Sequence, residues 1–283
     1  ITVTMSAQIT TATMSGKVTT QDEPIIGATI IAVHEPSGTR YGTVTNVSGQ
    51  FNLQGMRTGG PYKVEISYVG YQTAIYKGIN LLLGENYVLN VSLKESSELL
   101  DEVVVTASKE SNMKSDRAGA IMNANRDMIS STPTISRSIS DIMRLSPQGA
   151  DVGNGFAVGG GNYRQSFVTV DGAAFNNTFG LGGNLPANGS PISLDALEQV
   201  TVAVTPFDVR QSGFTGGAIN AVTRSGDNQF RGTAYMYFNN ENLKGSKVDD
   251  YELLRSKAQY YTYGASFGGP IIKDKLFFFV NGE

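Results

Sequence analysis

Phe230-Arg231-Gly232-Thr233-Ala234-Tyr235-Met236-Tyr237-Phe238 places Phe230, Gly232, Ala234, Met236 and Phe238 on one face and Arg231, Thr233, Tyr235 and Tyr237 on the other. Successive side chains of a strand point to opposite faces, so this period of two reads as a β-strand. Gln259 to Phe267 repeats it, with Tyr261, Tyr263, Ala265 and Phe267 opposite Tyr260, Thr262, Gly264 and Ser266. Lys275 to Gly282 repeats it once more after the turn Gly268-Gly269-Pro270. Segments of about ten residues with one apolar face and many aromatics are the signature of transmembrane β-strands. Three such strands cannot close a barrel, and an open edge facing lipid leaves main-chain groups unpaired. The reading therefore expects further strands beyond Glu283.

Composition agrees with β structure. The 33 glycines among 283 residues are about 12 per cent, against an average of about 7, and only 17% of residues are charged. No run approaches the roughly 18 consecutive apolar residues of a membrane helix. Lys and Arg number 22 against 25 Asp and Glu, a net charge of −3, which excludes a protein built to neutralise phosphates; no nucleic acid is expected as a partner. There is no Cys and one His, His34. A disulfide framework, a thiolate zinc site, a Cys nucleophile and a zinc enzyme with several imidazoles are thereby excluded, and no cofactor is expected. The length fits roughly two domains.

Upstream, residues 13 to 94 read as short strands separated by Gly and Pro punctuation. Tyr62, Val64, Ile66 and Tyr68 alternate with Lys63, Glu65 and Ser67, and Tyr87, Leu89, Val91 and Leu93 alternate with Val88, Asn90, Ser92 and Lys94. Ala28 to Val33 is apolar on both sides and reads as a central strand. The sum is a small antiparallel sandwich. Ahead of it, Ile1 to Gln8 is apolar and then small, and reads as the tail of an export signal. Residues 94 to 101 (KESSELLD) and 108 to 117 (SKESNMKSDR) are polar linker. Between them lies the β-prone island Glu102-Val103-Val104-Val105-Thr106-Ala107. Two readings of it stand: another core strand of a neighbouring domain, or a tethered strand that adds to another protein's sheet.

Residues 132 to 146 give the best helix pattern, with Thr132 as cap, Pro133 at the first helical position, and Ile135, Ile139, Ile142 and Met143 on one face. A Gly-rich stretch, Gly149 to Gly161, follows, then the strand and turn Ser166 to Gly172, a short helical turn at Pro191 to Leu197, and a strand through Val200, Val202 and Val204. This is an α+β unit of domain size.

Gly16-Lys17-Val18, Pro24-Ile25-Ile26-Gly27-Ala28-Thr29-Ile30, Thr43 to Phe51 and Ser67-Tyr68-Val69-Gly70-Tyr71 resemble the carboxypeptidase-regulatory-like, transthyretin-type sandwich found ahead of many Bacteroidetes outer-membrane proteins. Asn46 stands where that family more often has Asp. The order of sandwich, lone strand, α+β unit and amphipathic strands resembles the TonB-dependent outer-membrane transporter family, and within it the Oar-like branch. Leu100-Asp101-Glu102-Val103-Val104-Val105-Thr106-Ala107 looks like the TonB box. Val168-Thr169-Val170-Asp171-Gly172, Leu197 to Val202 and Ser212 to Gly226 resemble plug motifs, and Gly268 to Phe279 resembles the Oar-like second hairpin. One departure is that Gly159-Gly160-Gly161 precedes Asn162-Tyr163-Arg164, where the plug family has an Arg-Gly pair.

The resemblance implies a fold that is mainly β with an α+β part: a transthyretin-like antiparallel β-sandwich, then an α+β plug domain, then the first strands of a transmembrane β-barrel that closes with 22 strands in the family. The expected boundaries are 1–8 for a signal-peptide remnant, 9–95 for the sandwich, 96–117 for the linker with the box, 118–226 for the plug, and 227–283 for barrel strands. It implies energised transport across the bacterial outer membrane, with the N-terminal domain in the periplasm. The implied partners are the TonB C-terminal domain with its inner-membrane energising complex, outer-membrane lipid and an extracellular substrate. The residues Asp101, Glu102, Val103, Val104, Val105, Thr106 and Ala107 would meet TonB, and Phe175, Asn176, Asn177 and Phe179 could form a substrate-facing plug loop. The competing reading is a non-transporting envelope adhesin or glycan- or protein-binding module.

Other motifs read as ordinary structure. Gly153-Asn154-Gly155 and Gly159 miss the dinucleotide spacing by one position. His34 at a strand end is read as a satisfied or exposed histidine. Asp227, Asp249, Asp250 and Glu252 are acidic loop residues, capable of calcium binding but commonly just solvated. Relationship to a zinc carboxypeptidase through the first domain fails on ligand count, since only His34 is present, so no enzyme is expected.

Overall fold

Alternation of apolar and polar residues builds the N-terminal segment strand by strand in the computed structural model. The structure describes residues 10–95, 103–106, 121–134, 137–152, 155–176, 192–204, 216–243, 245, 247–249, 251–252, 257 and 259–283. The expected export-signal remnant therefore lies outside the described residues, as does most of the linker. The chain is mostly β and divides into two compact units, Ile1–Arg224 and Ser225–Glu283.

The first sheet is organised on β1 (Ala12–Thr20), with β2 (Glu23–Pro24) at one end. After β3 (Thr29–His34) and β4 (Thr39–Val44), β5 (Gln50–Met56) returns antiparallel to β1. Next come β6 (Gly59–Ser67), β7 (Ala74–Leu81), β8 (Asn86–Val88) and β9 (Val91–Ser92), the last two parallel to β1. With β10 (Val103–Thr106) the second sheet has the order β10-β7-β6-β3-β4. Met14, Val18, Phe51 and Leu53 from the first sheet and Ile30, Tyr62, Val64, Ile66 and Ile79 from the second share one core. The expected alternation in β6 thus holds through Ile66, while Tyr68 lies past the strand end and is exposed. Gly16 lets β1 and the Leu89 backbone meet, because a Cβ there would sit 1.8 Å from the Leu89 carbonyl oxygen. The Tyr62 hydroxyl donates to the Arg57 carbonyl at 2.7 Å, and burial holds its pKa well above the ordinary tyrosine value.

The α+β part begins with β11 (Ile121–Asn125) and the short helix α1 (Arg126–Ser131), capped by the Asn125 side chain. Thr132 is the C-cap of α1 rather than an N-cap, which corrects the expected helix over 132 to 146. The helix of that region, α2 (Ile139–Met143), starts at Ser138, where Ser138 and Asp141 form a capping box. Arg137 has φ 51°, outside helical geometry, so a helix cannot run through it. Ile135 lies outside the described residues. A hairpin of β12 (Gly149–Asp151) and β13 (Phe156–Val158) follows. Then β14 (Phe167–Val170), β15 (Ala173–Ala174), β16 (Leu197–Ala203) and β17 (Ala218–Thr223) complete a sheet of order β11-β16-β17-β14-β15. Ile142, Phe156, Val168, Val200, Val202 and Ile219 meet in its core.

The second unit pairs β18 (Arg231–Asn240) with β21 (Gln259–Ile272) and β21 with β22 (Leu276–Gly282), all antiparallel; β19 (Lys247–Val248) and β20 (Tyr251–Glu252) form a small hairpin in the connection.

Gly16→Ala must displace main chain rather than a side chain, so we expect a loss of at least about 3 kcal/mol from the sandwich, read as the urea midpoint of its protease resistance. Folded Tyr62 keeps its proton where the unfolded chain releases it. Its stability contribution is therefore complete below about pH 10 and falls as pH rises above that. Tyr62→Phe should show a shallower alkaline decline in the same midpoint than the parent chain.

Candidate functional site

β10 contains Val103 to Thr106 of the expected coupling segment. It pairs parallel to β7 with the register Val103↔Ala74, Val104↔Ile75, Val105↔Tyr76 and Thr106↔Lys77. β7 therefore has β6 on one side and β10 on the other, and β10 is the edge of the sheet. The paired stretch ends at Lys77, where Gly78 takes φ +80° and the β6–β7 register shifts. A left-handed residue interrupts an extended edge. At the other end, Tyr71 bridges to Glu95 and the Gln72 N–H donates to the Lys94 carbonyl at 2.9 Å. Asp101, Glu102 and Ala107 lie outside the described residues.

The turn that follows β7 touches the α+β sheet. The Leu83 N–H donates to Gln199 Oε1 at 3.2 Å, and Asn123 Nδ2 donates to Glu85 Oε1 at 3.0 Å. Asn123 Oδ1 in turn accepts from the Thr201 hydroxyl at 2.5 Å. Gln199 is only 2% exposed, and its Nε2 has no partner among the described residues. The sequence reading missed this contact. Its signal was the polar residues Gln199 and Thr201 in Leu197–Ala203, a strand buried on both faces.

Of the expected substrate-facing residues, Phe175 packs partly buried against the α+β core. The Asn176 side chain binds main chain: its Oδ1 accepts from the Val168 N–H at 2.6 Å and its Nδ2 donates to the Ser166 carbonyl at 2.8 Å. Asn177 and Phe179 lie outside the described residues. β15, which ends just before Phe175, and β10 belong to different sheets. Nearby, Asp171 turns the chain from β14 to β15 and accepts from the Thr223 N–H at 2.9 Å and the Thr223 hydroxyl at 2.6 Å, tying the turn to the end of β17.

In the second unit, the register sets the two apolar faces side by side, with Gly232↔Phe267, Ala234↔Ala265, Met236↔Tyr263 and Phe238↔Tyr261. Phe230, Met236, Tyr261, Tyr263, Phe267 and Val280 are exposed on it. The other face carries polar pairs: the Thr233 and Ser266 hydroxyls lie 2.6 Å apart, and the Tyr235 hydroxyl donates to the Glu283 carboxylate. An apolar sheet face this broad suits an apolar medium. Among the described residues no helix is long and apolar enough to cross a membrane, a finding that does not bear on strands.

His34 is buried with Nδ1 2.7 Å from Ser37 Oγ, and Ser37 Oγ is 2.8 Å from Thr39 Oγ1. A serine beside an imidazole is the arrangement of a nucleophilic pair, but Ser37 is 0% exposed and closes the β3–β4 turn. Among the described residues no group of three or more His, Cys, Asp or Glu could hold a metal ion. The Asp227 carboxylate accepts from the Gln229 N–H at 2.8 Å and faces Arg231 at 3.4 Å.

Residues 13–94 match the carboxypeptidase regulatory-like domain, and residues 222–283 match an outer membrane beta barrel domain. The TonB-dependent transporter Oar of Myxococcus xanthus is 31% identical over 150 residues, 50% of this chain and 14% of that protein. The TonB-dependent receptor SusC of Bacteroides thetaiotaomicron is 28% identical over 272 residues, 91% of this chain and 24% of that protein. Among solved structures, the siderophore receptor PirA from Acinetobacter baumannii aligns over 58% of this chain and 24% of that one, at 20% identity and a TM-score of 0.45. The chain spans less than a quarter of the length of these relatives. The chain is thus similar at its C-terminal end to an outer membrane beta barrel domain, and the two curated relatives are a TonB-dependent transporter and a TonB-dependent receptor.

Asn176→Ala leaves the Val168 N–H and the Ser166 carbonyl without this partner, so the α+β unit should lose about 1–3 kcal/mol. Urea-dependent proteolysis at sites within the unit reads the change.

Proposed function

We propose that the protein takes part in active transport across the outer membrane, with residues 101–107 as the coupling segment, the α+β unit as a plug, and the second unit as part of the barrel wall. The observation that carries this reading is the order of parts along one chain. A strand last in its sheet among the described residues precedes an α+β unit, which directly precedes strands matching an outer membrane beta barrel domain.

Each part has a physical task. A wide barrel conducts unless something fills its lumen, and a compact α+β unit with its own apolar core suits that place. The outer membrane holds no nucleotide energy source of its own, so work must arrive through a periplasmic contact. Strand addition supplies a contact that resists tension along the chain, because several main-chain hydrogen bonds must shear together. The apolar face carrying Met236, Phe267 and Val280 would meet lipid, while Thr233, Ser266 and Tyr235 would face the interior. Binding of substrate outside would shift the plug toward a state in which residues 101–107 reach the TonB C-terminal domain.

Deleting residues 101–107 from the full-length protein should reduce substrate accumulation to the level of de-energised cells, with outer-membrane protein level and surface binding of substrate unchanged. Normal accumulation at normal protein level ends the reading.

A further inference from the structure

The edge of β7 is bounded at both ends. Gly78 with φ +80° closes one end, and the Tyr71–Glu95 bridge with the Gln72–Lys94 hydrogen bond closes the other. Between them lies room for the short parallel ladder seen with Val103–Thr106. We propose that this edge is a strand-acceptor slot that stores the coupling segment, and that residues 103–106 exchange between β7 and the TonB C-terminal domain. The proposal rests on reading residues 101–107 as the coupling segment.

A slot of this length holds its strand weakly. The pairing is parallel, slightly less stable per residue than antiparallel pairing, and a lone ladder of a few residues is marginal in water. Occupancy then depends on the tether. The seven residues 96–102 join Val103 back to the sandwich, and tethers this short give effective concentrations of about millimolar. The described ladder with β7 spans Val103–Thr106, and a partner that pairs with a longer stretch of the segment outcompetes a ladder of that length. The slot keeps a β-prone valine run off other sheets until that partner arrives, and it leaves β7 a free edge only while the segment is engaged elsewhere. The turn beyond β7 also hydrogen-bonds to Gln199 and Asn123 of the α+β sheet. The slot is thereby anchored to the body it regulates.

These 283 residues have no Cys, so Lys77→Cys with Thr106→Cys, register partners in the ladder, introduces a single thiol pair here, in a full-length protein whose other cysteines, where present, are replaced by Ser. Oxidation should close this pair and weaken binding of a purified TonB C-terminal domain at least tenfold, and reduction should restore parental affinity. Separately, tripling the 96–102 tether with Gly-Ser residues should raise affinity about fivefold, following the three-halves power of length. If the oxidised protein binds as well as the reduced one, the partner uses the outer edge of β10 without exchange and the proposal is overturned. Failure of the thiols to close overturns it as well. If deleting residues 101–107 leaves binding unchanged, the coupling reading itself has failed, and the yield of closed thiols still reports separately whether the slot is occupied.

Discussion

An extended strand presents hydrogen-bonding groups on both sides, and a sheet edge with nothing beside it recruits whatever strand is near. That constraint organises each part of this chain. β7 would be the outer strand of its sheet but for the ladder to β10. At β14, the Asn176 amide reaches back to bond the Val168 N–H and the Ser166 carbonyl, standing in for main chain beside the strand. In the second unit, β18 and β22 flank β21 and are the outer strands of their sheet, and an outer-membrane barrel satisfies such strands by closure.

Polar groups join the sandwich to the α+β unit. Leu83 brings a main-chain N–H to Gln199, and Glu85, Asn123 and Thr201 extend the contact as a chain of side-chain bonds. Such contacts are specific in geometry and modest in net strength, because each replaces a bond to water. Within each body, Tyr62, Met14 and Ile66 on one side, and Ile142, Leu197 and Ile219 on the other, are wholly enclosed.

What the sequence discloses follows what side-chain pattern encodes. The faces of β18 and β21 were legible because a period of two sorts Phe, Met and Tyr from Thr and Ser, and the observed register aligns those faces. The core positions Tyr62, Val64 and Ile66 were legible for the same reason. The partner of Val103–Thr106 was not, since a ladder of main-chain bonds leaves no mark on residue type, and an apolar run suits a foreign sheet as well as its own. The helix near Ile139 was misplaced because Thr132 and Pro133 imitate a helix start, whereas the capping pair Ser138 and Asp141 lies six residues on and the turn at Arg137 is a backbone property. The two main-chain bonds of Asn176 reach back eight and ten residues, and nothing in the residue type marks them.

Several glycines of the second unit lie under aromatic rings, and one of them bears on strand alignment. Tyr235 lies directly opposite Gly264, and its ring occupies the space a side chain would take there: a Cβ at Gly264 would fall 2.1 Å from the ring. Sliding β18 by two residues along β21 preserves which face is apolar, so hydrophobic sorting alone does not reject it. Such a slide brings the ring against Thr262 or Ser266, where a side chain blocks it. The tyrosine over glycine thus acts as a proofreading key for strand alignment, admitting one of several frames that the greasy face would accept equally.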